Sequence, residues 1–230
     1  MLMMKFVLDQ KYCWAEQLGP SDQPVPLVIL LSGDDSMQQL SEIREMLLLR
    51  IAAGDCRPFL ITGFGPIDWD RDFTPWYLEG TGGRIFAGKA DEMLDFMKNA
   101  LLPMLQSTFS LSGEVYPVGY SLGGLTALYG HCRSGFTGCG SCSGSLWFPG
   151  WLEFLQKHLP PGKVYLSLGG KEEKTKDPLM CEVGKATQKS KELLAKSAKV
   201  IYVKEPGGHF REIPQRIGRA ILWLLEPIQR

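Results

Sequence analysis

Three things are scarce in this sequence: surplus charge of either sign, long apolar runs and histidine. Lys and Arg number 25 and Asp and Glu also 25, so no net field draws the chain to nucleic acid or to an anionic membrane. The longest apolar stretches, such as VPLVILL and AILWLL, fall well short of the roughly 18 residues that cross a bilayer. The opening residues, MLMMKFVLDQ, lack the apolar core of roughly 7 to 15 residues and the small-residue cleavage site of a secretory leader, so the expected location is the cytoplasm. Six cysteines are scattered through a long chain rather than concentrated in a short secreted one, which reads as reduced core thiols. The CGSC pair, Cys139 and Cys142, has no second pair at zinc-ribbon spacing and is taken as ordinary packing, with no metal site. The partner expected is a small molecule, and a homodimer is left open.

What the chain does have is a set of apolar runs of strand length, ending at or beside glycine. They are VPLVILLSG (25–33), PFLITGFG (58–65), EVYPVGY (114–120), KVYLSLGG (163–170) and KVIYVKEPGG (199–208). Their near-continuous Val, Ile and Leu content indicates strands covered on both faces, as in a parallel sheet. Between them lie segments of helical periodicity. SMQQLSEIREMLLLRIAAG places Leu40, Ile43, Met46, Leu47 and Ile51 at spacings of three and four behind Ser36 as N-cap. ADEMLDFMKNALLPMLQ, SLGGLTALYGHC, VGKATQKSKELLAK and IPQRIGRAILWLLEPI read the same way. This alternation predicts one doubly wound α/β domain over residues 1–230, with KFVLD and YCWAE forming an antiparallel hairpin ahead of the parallel part. Residues 65–88 break the pattern: a long segment without clear periodicity, expected to serve as a lid or as a wall of the substrate pocket.

GYSLGG, at the end of the EVYPV strand, fits G-x-S-x-G, in which a strand turns sharply into a helix and presents a serine. Ser121 is the expected nucleophile, with Gly119 and Gly123 as the small neighbours that such a turn requires. A serine needs a base, and the sequence offers only three histidines. His131 lies about three turns along the same helix and His158 near the end of WLEFLQKHL. His209, in PGGHF after the last strand, stands where the hydrolase order of serine, acid and histidine puts the base. The acid is expected in the loop after KVYLSLGG, where three carboxylates compete: Glu172 first by distance from the strand end, Glu173 second and Asp177 third. The oxyanion is expected to meet two backbone amides, that of Leu122 and one from SGDDS, Asp34 or its neighbour Asp35. Trp69, Arg71 and Trp76 from the long loop, Tyr120 beside the serine and Trp147 in GSLWFPGW are expected to contact substrate, Arg71 through a carboxylate unless Asp70 or Asp72 claims it.

These motifs resemble the α/β-hydrolase superfamily and, within it, the putative-esterase branch that includes the esterase D and siderophore (enterobactin) esterase types. VPLVILLSG, GYSLGGLTALY, CSGSLWFPG and PGGHF are spaced as that branch spaces its oxyanion strand, elbow, post-elbow strand and histidine loop, over nearly the whole chain. DWDRDFTPW and SLGGKEEKT also look like segments of a bacterial subgroup of the branch. The resemblance implies the α/β-hydrolase fold: a three-layer sandwich with a mostly parallel central sheet, helices on both faces and no large cap domain. It implies a serine hydrolase that cleaves a small carboxylic ester through a Ser-His-acid triad and an acyl-enzyme, with no cofactor. Thioester and amide hydrolysis use the same machinery, and a catalytically silent binding protein is the alternative of a different class. Many members of the superfamily carry Asp as the acid, where glutamates stand here.

Overall fold

Side chains alternate across a strand, and in β3 (Val25–Leu31), buried along its whole length, this alternation feeds two separate cores. Leu27, Ile29 and Leu31 point into one core and Val28 and Leu30 into the other. The computed structural model describes residues 3–227. Two antiparallel strands, β1 (Met4–Leu8) and β2 (Lys11–Leu18), come first, as the expected hairpin, and β2 pairs antiparallel with β4 (Phe59–Gly65). From β4 onward the sheet is parallel through β3, β7 (Leu111–Tyr120), β8 (Gly138–Cys142), β9 (Lys163–Gly169) and β10 (Lys199–Glu205).

Helices cover both faces, so the three-layer α/β-hydrolase architecture is present. α1 (Ser36–Ala52) and α8 (Ile213–Leu224) pack on one face through Leu40, Ile43 and Leu47 and through Ile217, Ile221 and Leu224. The opposite face carries α3 (Ala90–Phe96), α4 (Leu102–Thr108), α5 (Leu122–Ser134), α6 (Trp151–Lys157) and α7 (Val183–Leu194), which follow the short α2 (Trp69–Asp72). The strand order is β1-β2-β4-β3-β7-β8-β9-β10. From β3 the chain first crosses outward to β4 and later returns to β3's other side as β7. The carboxyl ends of β3 and β7 therefore flank the point where the order reverses, which is where open α/β sheets form their crevice.

Three local readings need correction or refinement. ADEMLDFMKNALLPMLQ is not one regular helix: α3 passes through a π-turn at Met97–Leu101 into α4. Pro103 has no N–H to donate to the preceding turn, and the wider turn lies directly ahead of it. Residues 65–88 are not structureless. They hold α2 and an antiparallel pair, β5 (Tyr77–Glu79) with β6 (Ile85–Ala87), and Phe73 is fully buried within them. The strand after the elbow is centred on GCGSC, and CSGSLWFPG forms its end and the turn that follows.

Within β8, Cys139 and Cys142 stand three residues apart and so face opposite sides of the sheet, each in a different core. Burial raises both thiols, Cys142 to about 12 and Cys139 well above its ordinary value. A thiol reagent at pH 8 should therefore modify Cys139 and Cys142 only after denaturant is added. Rapid native-state reaction at either, or a disulfide between them, would contradict this placement.

Candidate active site

The elbow is built by backbone contact. Ser121 ends β7 and precedes α5 with φ 56° and ψ −122°, a conformation that a non-glycine residue holds only under constraint. A Cβ at Gly123 would strike the carbonyl oxygen of Leu31 at the end of β3, and one at Gly119 would strike the carbonyl of Gly123. Helix α5 is thus pressed against two strand ends. The Ser121 amide donates to the carbonyl of Cys142 at 3.1 Å, and its carbonyl accepts from Leu125 at 3.1 Å and Ser145 at 3.0 Å.

From the loop after β10, His209 reaches back so that Nε2 lies 3.1 Å from Ser121 Oγ, while Nδ1 lies 2.7 Å from Glu172 Oε2. A carboxylate only accepts, so the Nδ1 position carries the proton and Nε2 is left to accept from the serine hydroxyl. The imidazole is 31% exposed and the Glu172 side chain 4%. Of the three candidate acids, Glu172 is the one at the ring. Glu173 turns its carboxylate towards Gly184 on α7, and Asp177 accepts from the amides of Leu179 and Met180.

The second oxygen of Glu172, Oε1, is as tightly held as the first. It accepts from the Gly169 amide at 2.6 Å, from Ser143 Oγ at 2.7 Å and from Arg216 Nη1 at 2.9 Å. Burial alone would push the Glu172 carboxyl up; the hydrogen bonds from His209, Ser143 and the Gly169 amide outweigh it and hold the group below its ordinary value. Ser143, at the end of β8, adopts φ 44° to aim its hydroxyl there.

A cavity of about 710 Å³ opens on Ser121 and His209. Trp69, Trp147, Leu122 and Asp35 line it, as do Arg84, Lys171 and Phe210, which sequence reasoning did not single out. Phe210, 87% exposed, stands at its mouth. Asp34 turns its carboxylate towards Gly65 instead. Tyr120 lines the cavity with its ring, but its hydroxyl points away: it donates to the His209 carbonyl at 2.5 Å and accepts from Arg216 at 2.9 Å.

Two expected substrate contacts are displaced. Arg71 lies off the cavity, ion-paired to Asp72 at 2.6 Å and Glu92 at 2.8 Å, so the nearby-carboxylate alternative prevailed. Trp76 donates from Nε1 to the Pro149 carbonyl at 2.9 Å and packs edge-on against Tyr129 and Phe148, partly buried against the core. Arg84 stands where Arg71 was expected, paired with Asp70 and lying over Phe86.

The family model described as putative esterase matches residues 5–210. The chain belongs to that family. Solved structures with the same fold include an IroE-like serine hydrolase from Shewanella oneidensis, 19% identical with a TM-score of 0.80, the match covering 97% of this chain and 79% of that one. The siderophore hydrolase EstA from Aspergillus nidulans is 18% identical with a TM-score of 0.72, covering 97% and 93%. The enterobactin esterase FES from Shigella flexneri, in the presence of enterobactin, is 20% identical with a TM-score of 0.77, covering 97% and 59%. No curated protein matches the chain. The family supports an esterase or hydrolase activity for it.

In this esterase-family chain the residue least legible in advance is Arg216. It lies in IPQRIGRAILWLLEPI, where one arginine in an amphipathic helix reads as part of the solvent face, yet it is fully buried. One signal was present in the sequence: Arg216 immediately precedes the apolar row that includes Ile217 and Ile221.

Because the Glu172 carboxyl is held low, its contribution to stability is complete above the ordinary carboxylate value of about 4.3 and is lost as the pH falls through its own lower value. The urea midpoint of E172Q should therefore change less between about pH 5 and pH 3 than that of the wild type. Parallel curves for the two proteins would overturn the assignment of a lowered pKa.

Proposed function

We propose that the chain is a serine hydrolase that cleaves a small carboxylic ester through Ser121, His209 and Glu172. The observation that carries this reading is the continuous hydrogen-bonded line from Ser121 Oγ through both imidazole nitrogens to Glu172 Oε2, at 3.1 and 2.7 Å. Ser121 Oγ attacks the ester carbonyl as His209 Nε2 takes its proton, and the imidazolium is stabilised by Glu172. The tetrahedral oxyanion is met by the Leu122 amide, one of the first-turn N–H groups that α5 leaves without a helical acceptor, and by a main-chain N–H of the turn at Gly33–Asp35, that of Asp34. His209 then returns the proton to the departing alcohol, and water activated by the same imidazole releases the acid.

A volume of about 710 Å³ falls within the range of small-molecule sites. The indoles of Trp69 and Trp147 offer apolar surface to the acyl or alcohol part, and Arg84 and Lys171 offer cationic edges.

A fluorophosphonate probe should label the folded protein at Ser121, and p-nitrophenyl esters of graded chain length should be hydrolysed. S121A and H209A should each lower kcat by something on the order of 10⁴- to 10⁶-fold, with the double variant little worse than either, because the pair acts as a unit. A folded protein that takes no label rules out Ser121 as the nucleophile.

A further inference from the structure

Arg216 is fully buried in α8, and its two terminal nitrogens point in different directions. Nη1 reaches Glu172 Oε1 at 2.9 Å, Ser143 Oγ at 2.7 Å and the Tyr120 hydroxyl at 2.9 Å. Nη2 donates to the carbonyls of Pro206 at 3.1 Å and Gly208 at 3.0 Å, the backbone that carries His209. A single planar group thus bonds the acid, the chain segment bearing the base, and the tyrosine whose hydroxyl holds the base's own carbonyl.

The rigid fork of a guanidinium holds donors aimed in two directions at once, which a lysine's single ammonium does not do. Desolvating such a charge is costly, and a buried ion pair is often no more stabilising than apolar packing of the same volume, so stability alone is a weak reason for an arginine here. The more specific consequence concerns charge. Glu172 lies between a permanent cation on Oε1 and the imidazole on Oε2, so its negative charge is divided between them.

We propose, on the reading that Ser121, His209 and Glu172 form a triad, that Arg216 is the positioning residue of this site: it ties the acid to the histidine loop and shares the acid's charge with the base. It touches no reacting atom and acts through Glu172 and His209. The charged and titratable groups around the trio are Tyr120 from β7, Cys142 from β8, Lys171 beside the acid, Asp35 and Arg84 across the cavity, and the ion pair of Glu205, at the end of β10, with Arg219, one turn along α8. Apart from these, Arg216 is in direct contact with the acid, at 2.9 Å.

The sign of the effect follows. His209 works as a base when neutral, so the acidic limb of kcat/KM reports its protonation. Removing the cation leaves the whole carboxylate charge to the imidazolium, which then forms more readily, and the limb moves to higher pH. In R216M that limb should rise on the order of one pH unit. Its kcat, per site titrated with fluorophosphonate, should fall on the order of 10²-fold with KM little changed, because misplaced groups lose transition-state contacts first. R216K keeps the charge and loses the fork, so its limb should stay near the wild-type position while kcat remains low. An R216M enzyme with unchanged limb and unchanged kcat per titrated site overturns the proposal, as does a fall in kcat with the limb unmoved, which marks a merely structural role.

If neither variant folds, the wild type answers the question. With ¹⁵N-labelled arginine, the resolved guanidinium signals of buried Arg216 should titrate with the midpoint of the kinetic limb; signals that do not move overturn the charge sharing. Failure of the triad itself shows differently, as a wild-type protein that takes no fluorophosphonate.

Discussion

The contact between Gly123 and the carbonyl of Leu31 sets the position of nearly everything else in this molecule's site. With no Cβ at 123, the first turn of α5 packs directly against the end of β3, and with none at 119, β7 can turn beneath it. The strand therefore ends with Ser121 lifted out of the sheet in a constrained conformation, at the place where the strand order reverses. A side chain at either glycine would meet backbone, which cannot rotate away as a flexible side chain could.

From that fixed serine the rest is arranged by loops that are themselves tied to one another. The loop after β9 holds Glu172 through a bond from its own amide to Gly169, and Lys171 donates its amide to Gly207 in the neighbouring loop after β10. The two loops that carry Glu172 and His209 are thus joined by main chain as well as by the imidazole–carboxylate bond. Four donors on one carboxylate, from His209, Ser143, Gly169 and Arg216, allow a nearly buried charge to persist beside a partly exposed imidazole. The environment keeps Glu172 ionised and leaves the His209 ring open to the cavity, the division that the proposed proton transfer from Ser121 requires.

The segment 65–88 shows how a stretch with no periodicity can still be structural. Its aromatic and charged residues divide by side. Phe73 and Trp76 pack inward, with Trp76 hydrogen-bonded to Pro149, while Arg71 joins α2 to α3 through Glu92. Trp69 and Arg84 remain for the cavity. The β5–β6 pair gives this segment its own hydrogen-bonded frame, and the Thr126 hydroxyl on α5 holds it at the carbonyl of Phe73.

By itself the sequence determined the strand–helix alternation, the elbow serine and, with only three histidines to weigh, the one whose ring meets that serine. These follow from local pattern and chain order: apolar runs ending in glycine, a serine between glycines, a histidine after the last strand. The carboxylate beside His209 was narrowed to three neighbours but not resolved, because a few residues along a loop decide direction and no periodicity records direction. Which residues of the long loop face the cavity was decided only in three dimensions, where Arg71 found carboxylates nearer than any ligand and Trp76 found a carbonyl and an aromatic cluster. Arg216 is the clearest case. A charge in an amphipathic helix reads as solvent-facing until the helix packs under the strand ends, and there Glu172, a serine, a tyrosine and two carbonyls converge on it from four separate parts of the chain. Helical period fixes only the face on which a residue lies; what waits opposite that face depends on contacts far apart in sequence, and those exist only in the folded chain.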